Sequence, residues 1–369
     1  MAAEQSGVSM PVMAPGRPGA ASRASRGTRR RARGAAAAQC SASWRVLVDD
    51  APAALAAAGG LVAAGGAAGT AWVLEAASGC PVATLSLPGG IMGLAFSPGG
   101  SHLMLAGPQG YALWHAADCR ATVLVSGRCS ARARWAGSGQ VAVADGRVAV
   151  VLDAAGRQLW RTAQLPGAVA DLAWLPGGGL AVACDSEVRR HEPGQAVPVA
   201  GFALPSGCRT IAVPPGGRWI CAGGRGDHVH VRRTGDGAEF TLPAGPGTAA
   251  RLAFDETSRW LAAGIASQVT VWDFAGEEQQ GRVPRILCAH DAVTDVAWRP
   301  GSDTILATAG AEGTIALWDA TAGKPGRPRI TTAGWNLEDD VTVIAWNGPG
   351  TLLAATRNGT LRALDPARA

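Results

Sequence analysis

A single lysine, Lys324, and a single tyrosine occur in 369 residues, together with five phenylalanines and six histidines. The basic side of the chain is therefore almost wholly arginine, a habit of the whole sequence more than a built surface. The formal charge of +5 is local: residues 1–39 carry seven arginines and one glutamate, and the remainder holds 26 basic and 27 acidic residues. A folded part with no excess positive charge makes no electrostatic case for DNA, and RNA contact is expected only through that basic leader. The eight cysteines, Cys40, Cys80, Cys119, Cys129, Cys184, Cys208, Cys221 and Cys288, include no CxxC pair. Paired-thiol redox and zinc-knuckle chemistry thus lack their motif, and a chain this long needs no disulfide scaffold, so reduced thiols are expected. Long apolar runs are also missing. Residues 51–74 are uncharged, but Gly59, Gly60, Gly65, Gly66 and Gly69 cut this alanine-rich run into strand-length pieces, and no transmembrane segment is expected.

What is abundant is glycine, proline and tryptophan, at 51, 23 and 13 residues in a chain that is 47% apolar. This suits many short strands joined by tight turns. Residues 1–40 form a separate segment rich in Arg, Ala and Ser, without alternation, that cannot bury enough apolar surface to order itself. It has the composition of an organelle transit peptide ending near 35–43. The alternatives are a disordered tail, a mis-set start codon in a GC-rich gene, or a basic arm touching RNA or lipid. The compartment is accordingly the cytoplasm, or a chloroplast or mitochondrion if the leader is a transit peptide.

From residue 44 onward the chain repeats. The series GTAWVLEA, GYALWHAA, GRVAVVLD, SEVRRHEP, DHVHVRRT, SQVTVWDF, GTIALWDA and GTLRALDP starts at residues 69, 110, 146, 186, 227, 267, 313 and 359, with spacings of 41, 36, 40, 41, 40, 46 and 46. Before each lies a pair of strands around a Gly or Pro/Gly turn, as in VADLAWLPGGGLAVACD and VTDVAWRPGSDTILATAG. A four-stranded unit of this kind cannot cover its own apolar faces, whereas units packed around an axis can.

This pattern over 44–369 resembles the WD40 repeat family. The copy running from CAHDAVTDVAW to GTIALWDA carries it best, and Trp272–Asp273 and Trp318–Asp319 are full Trp-Asp dipeptides. The resemblance implies an all-β, closed β-propeller of eight four-stranded blades, with seven as the alternative if the short first copy is something else. It further implies a structural hydrogen-bond network of His290, Thr308, Glu312 and Trp318, with Glu312 where the family usually has Asp. It also implies that WRVLVDD at 44–50 becomes the outer edge of the last blade; RPRITTAG at 327–334 is read as the strand that opens the last copy.

Chemistry-bearing constellations are sparse. Cys221, His228 and His230 form the best metal-like group but lack a fourth ligand. GGRGDH at 223–228 has no GK[ST] and no following helix, so it is not a phosphate loop. No catalytic residue, metal or cofactor is expected, and the chain is not read as an enzyme. The expected function is a non-catalytic scaffold or assembly subunit of a multi-subunit complex. The alternatives are a small-molecule binder or hydrolase using the propeller channel, and a structural subunit whose leader contacts RNA. Candidate partner-binding residues on the loops are Asp185, Arg225, Asp227 and Arg357, with Trp335 as an aromatic anchor in the acidic loop 334–340.

Overall fold

The computed structural model describes residues 8–9, 44–124, 132–204, 206–276, 282–302, 304–331 and 333–369. Apart from Val8–Ser9, which pairs antiparallel with Thr122–Val123, the leader and its transit-peptide reading lie outside the described residues. The rest is an eight-bladed β-propeller arrangement. Blades 1 to 8 are the successive antiparallel meanders whose first strands are Pro52–Ala58, Gly93–Phe96, Ala133–Trp135, Val169–Trp174, Cys208–Ala212, Ala249–Phe254, Val293–Trp298 and Val341–Asn347. The seven-blade alternative falls, because the compressed first copy makes a full four-stranded sheet. Arg45–Leu47 supplies the outer strand of blade 8 by pairing with Thr360–Arg362.

Two parts of the expected architecture are corrected. The sheets are not closed or strongly curled: strand order in every one is linear, and no ladder joins the four main strands of one blade to those of the next. Neighbouring blades face each other through side chains and meet at the rim through single backbone hydrogen bonds, such as Val169 N–H to the Gly146 carbonyl and Val293 N–H to the Ala266 carbonyl, so no continuous ladder closes the ring. Nor is every sheet four-stranded, since Pro328–Arg329 adds a short parallel strand to the outer edge of blade 6 and Val8–Ser9 extends blade 2. The segment 327–334 therefore does not supply the outer strand of blade 7. That strand is Gly334–Asn336, where a Cβ at Gly334 would collide with the Ile315 carbonyl, while Pro328, lacking an N–H, sits at a sheet margin.

The second strand of each blade explains the composition. It is buried almost end to end, as in Leu180–Cys184 and Trp219–Gly224, because both its faces are covered. In blade 2, Leu103 and Leu105 pack toward blade 1 while Met104 and Ala106 pack toward blade 3. Alternate residues thus enter different cores and all must be apolar, which removes the alternation expected of a half-exposed strand. The uncharged run at 51–74 is the first strand of blade 1, its buried second strand Leu61–Gly66 and most of its third, and among the described residues no helix is long and apolar enough to cross a membrane.

Glycines end several second strands because the incoming linker approaches their backbone. A Cβ at Gly224 would overlap the carbonyl oxygen of Gly207, whereas one at Gly235, in an outer turn of the same blade, meets nothing within 4 Å. Gly224→Ala is expected to cost about 1–3 kcal/mol of unfolding free energy in urea titrations, the usual range for overpacking, while Gly235→Ala stays close to the parent.

Candidate functional site

Meander connectivity puts the loops between second and third strands, and those linking one blade to the next, on one rim, here called the upper rim. The first strands of all eight blades line an axial channel beneath it, a cavity of about 240 Å³. Its walls carry directional ties between blades. Trp135, Trp174, Trp298 and Trp346 each lie at or next to the end of a first strand and donate Nε1–H to a carbonyl of the preceding blade's first strand: Ala95 at 2.8 Å, Arg134 at 2.8 Å, Ala253 at 3.0 Å and Ala297 at 3.0 Å.

Two aspartates tie in both directions. Asp171 in blade 4 accepts from Arg134 of blade 3 at 3.2 Å, and from the Ile211 amide and Thr210 hydroxyl of blade 5, both at 3.2 Å. Asp295 in blade 7 accepts from Arg251 of blade 6 at 3.2 Å and from the Ile344 amide of blade 8 at 3.1 Å. Each sits just past a register shift in its strand, which turns the carboxylate toward the neighbouring blade. Burial pushes the Asp295 carboxyl upward, opposed by Arg251 and the amides of Ile344 and Val296. Neither these tryptophans nor these aspartates stood among the sequence candidates. The signal that marks them is the tetrapeptide Asp-Leu-Ala-Trp at 171–174 and its counterpart Asp-Val-Ala-Trp at 295–298.

Above the channel the upper rim opens over blades 3 to 6 into a second cavity of about 460 Å³, lined by Arg132, Asp185, Cys208, Arg209, Arg225 and Arg251 among others. Arg132 and Arg251 line both cavities, so the two are continuous. Burial lowers the Arg132 pKa, and its position near Arg134 and Arg251 adds to this against the attraction of Asp171. Burial pushes the Cys208 thiol up to about 12 and Cys184 up to about 11, so both are protonated, unreactive thiols at neutral pH.

The four residues His290, Thr308, Glu312 and Trp318 meet in blade 7. Trp318 Nε1–H donates to Thr308 Oγ1 at 2.9 Å, Thr308 Oγ1 lies 2.7 Å from His290 Nε2, and His290 Nδ1 lies 2.6 Å from Glu312 Oε1. A neutral imidazole with its proton on Nδ1 satisfies every group in this chain. Trp114 and Trp272 occupy the corresponding third-strand positions in blades 2 and 6, but their Nε1 atoms are buried without a hydrogen-bond partner. By ladder register Leu105 and Ala263 stand there where Thr308 stands in blade 7, so no hydroxyl is available.

The remaining candidates separate in space. Asp185 and Arg225 line the upper cavity, and Asp227, exposed, follows Arg225 and contacts His228. Arg357 lies on the same rim at blade 8, where it pairs with Asp340 at 2.8 Å. Trp335 lies in the outer strand of blade 7 and packs against the core shared with blade 8. Cys221 and His230 are not brought together: Cys221 is opposite Val231 in the ladder, so His230 points to the other face. Among the described residues no three His, Cys, Asp or Glu side chains are grouped to hold a metal ion.

The blade 7 network is also where the chain matches a known family. The model described as "WD domain, G-beta repeat" matches residues 281–319. The chain is a WD40-repeat β-propeller. The matched copy is the one that holds the full polar network, which is missing around Trp114 and Trp272. A ribosome biogenesis protein WDR12 homolog from Nematostella vectensis is 26% identical over 145 residues, covering 38% of this chain and 33% of that protein. The match thus spans about a third of that relative's length. Among solved structures, Chaetomium thermophilum Sqt1 bound to the N-terminus of the ribosomal protein L10 is 18% identical, with a TM-score of 0.71 over 86% of this chain and 97% of that one. The computationally designed Ika8 protein is 17% identical, with a TM-score of 0.69 over 86% and 97%. At these identities the structural likeness is one of fold.

Two outcomes are expected from this geometry in the WD40 propeller. Asp171→Ala removes the acceptor shared by three blades and should cost about 3 kcal/mol, the low end for a broken buried charge pair because the arginine partners reach solvent. Glu312 is raised by burial but held below the usual glutamate range, on balance, by Thr314 and His290. A depressed folded pKa contributes stability above the unfolded value that is lost as pH falls through the folded one. Glu312→Gln should therefore flatten the decline of stability between about pH 5 and pH 3, measured by urea unfolding at each pH.

Proposed function

We propose that this WD40 propeller is a non-catalytic scaffold that holds a protein partner on its upper rim, as a subunit of a larger assembly. The observation that carries this is the division of the molecule: the blade interfaces are filled with Ala, Val, Leu and Trp, while the upper rim presents the charged side chains of Asp185, Arg209 and Arg225 around a cavity. A rigid frame with side-chain chemistry on its loops suits recognition. The alternative of channel chemistry is less favoured, because Asp171 and Asp295 are already engaged by backbone amides and guanidiniums.

The Sqt1 structure with the N-terminus of a ribosomal protein supports the reading by fold analogy, since that propeller of similar architecture holds a peptide segment of another protein. Within this proposal Asp185, Arg225 and Asp227 belong to the partner surface, with Arg357 at its far margin. Trp335 is left out because it packs into the blade 7 and blade 8 core.

Affinity purification of the tagged chain from its own cells should return a second protein in stoichiometric amount. Hydroxyl-radical footprinting of that complex should protect Met92, 43% exposed at the channel mouth, and leave Leu159 and Val197 on the outer edges reactive. A chain that purifies alone, or protection confined to Leu159 and Val197, would overturn the reading.

A further inference from the structure

The upper cavity over blades 3 to 6 has more cationic groups than its surroundings neutralise. Arg132, Arg134, Arg209, Arg225 and Arg251 line it and the adjoining channel, against the carboxylates Asp171, Asp185 and Asp295. Two of those carboxylates are spent on the frame: Asp171 on the Ile211 and Leu172 amides and Thr210, and Asp295 on the Val296 and Ile344 amides. Arg209 and Arg225 are exposed, and neither side chain has a hydrogen bond or ion pair among the described residues. The chain after residue 39 is close to neutral, so this accumulation is local and not a consequence of composition.

We propose that this cavity is a carboxylate-binding site for an acidic segment of a protein partner, with Arg209 and Arg225 as its receiving groups and Arg132 and Arg251 at its floor. Guanidiniums bind carboxylates through two parallel N–H donors, a geometry that selects acidic side chains over a diffuse negative field. Below, the channel that Arg132 and Arg251 share with the cavity adds apolar lining from Leu55, Leu94, Ile211, Leu252, Val296 and Val343 between the side chains of Arg134, Asp171, Thr210 and Asp295. An acidic peptide with an apolar residue beside its carboxylates matches both parts.

A nucleic acid strand matches less well. Its phosphates continue beyond a cavity of about 460 Å³, and the rim on either side presents Asp185, Glu187 and Asp227 and, across the axis, Glu338, Asp339 and Asp340. Those carboxylates would repel a tracked backbone but not a short peptide.

This inference rests on the scaffold reading and names the chemistry of its partner. The full chain, titrated against a fluorescein-labelled peptide of alternating Glu and Leu, should raise its anisotropy, and the binding should weaken as salt is added. A Lys and Leu peptide of the same length should not bind. The double variant Arg209→Glu, Arg225→Glu should lose at least about tenfold in affinity, whereas Arg157→Glu with Arg161→Glu, on blade 3 away from the cavity, should bind like the parent. Both variants are checked by thermal melting, since the substituted residues are exposed.

No peptide binding, binding indifferent to Arg209 and Arg225, or tighter binding of labelled oligothymidine than of the acidic peptide would each overturn the site. If the stoichiometric cellular partner persists on the Arg209 and Arg225 variant, the scaffold reading stands and this site falls. If the peptide binds as described but no cellular partner exists, the site stands and the scaffold reading falls.

Discussion

The structure depends on a small set of hydrogen bonds that cross from one blade to the next. Backbone contact between neighbouring sheets is confined to scattered hydrogen bonds at the rim and the two-residue pairing of Ile286–Leu287 with Pro328–Arg329, and the apolar burial that holds the sheets together does not by itself fix the angle between them. Direction comes from Trp135, Trp174, Trp298 and Trp346 reaching back to the preceding blade, and from Asp171 and Asp295 reaching both ways. An amide or indole N–H buried at such an interface would be costly if left unpaired, so each tie penalises any other packing angle. The blades are interchangeable in outline but not in these contacts.

The ties also generate the chemistry of the rim. A carboxylate placed in a narrow channel needs cations, and Arg134 and Arg251 supply them from the neighbouring blades. Arg132 pairs with Asp171 as well, and Arg209 and Arg225 then add charge beyond what these two carboxylates face. A demand of the frame thus becomes a property of the surface, which is why the basic cavity lies over blades 3 to 6 and not evenly around the axis.

Much of the frame is legible in the residues. Turn chemistry and a period near 40 mark the blades, and continuous burial of second strands such as Leu180–Cys184 accounts for a stretch that imitates a membrane span. The four network residues of blade 7 are readable because their types and spacing come as a set. Less legible is whatever depends on which blade faces which. Asp-Leu-Ala-Trp and Asp-Val-Ala-Trp look like ordinary strand endings, and only the partner carbonyls one blade away show what the indoles do. The outer strand of blade 7 is hard to place from sequence for a related reason: 327–334 has strand-like residues, but Pro328 and the crowding at Gly334 decide its edge. The rim cavity was readable only through Asp185 and Arg225, since Arg132, Arg209 and Arg251 come from other blades.

Hydrogen exchange at the amides of Ile211 and Ile344 tests the role of the inter-blade ties most directly, because each donates to an aspartate of the preceding blade and not to a strand partner. If the ties hold the blades in register, both amides exchange only through global unfolding, as slowly as that of Ala222 in the buried second strand of blade 5, and when Asp171 is replaced Ile211 accelerates beyond the common increase that the lower global stability gives Ile344 and Ala222. Exchange at Ile211 and Ile344 as fast as at the exposed rim residue Gly226 would contradict the account.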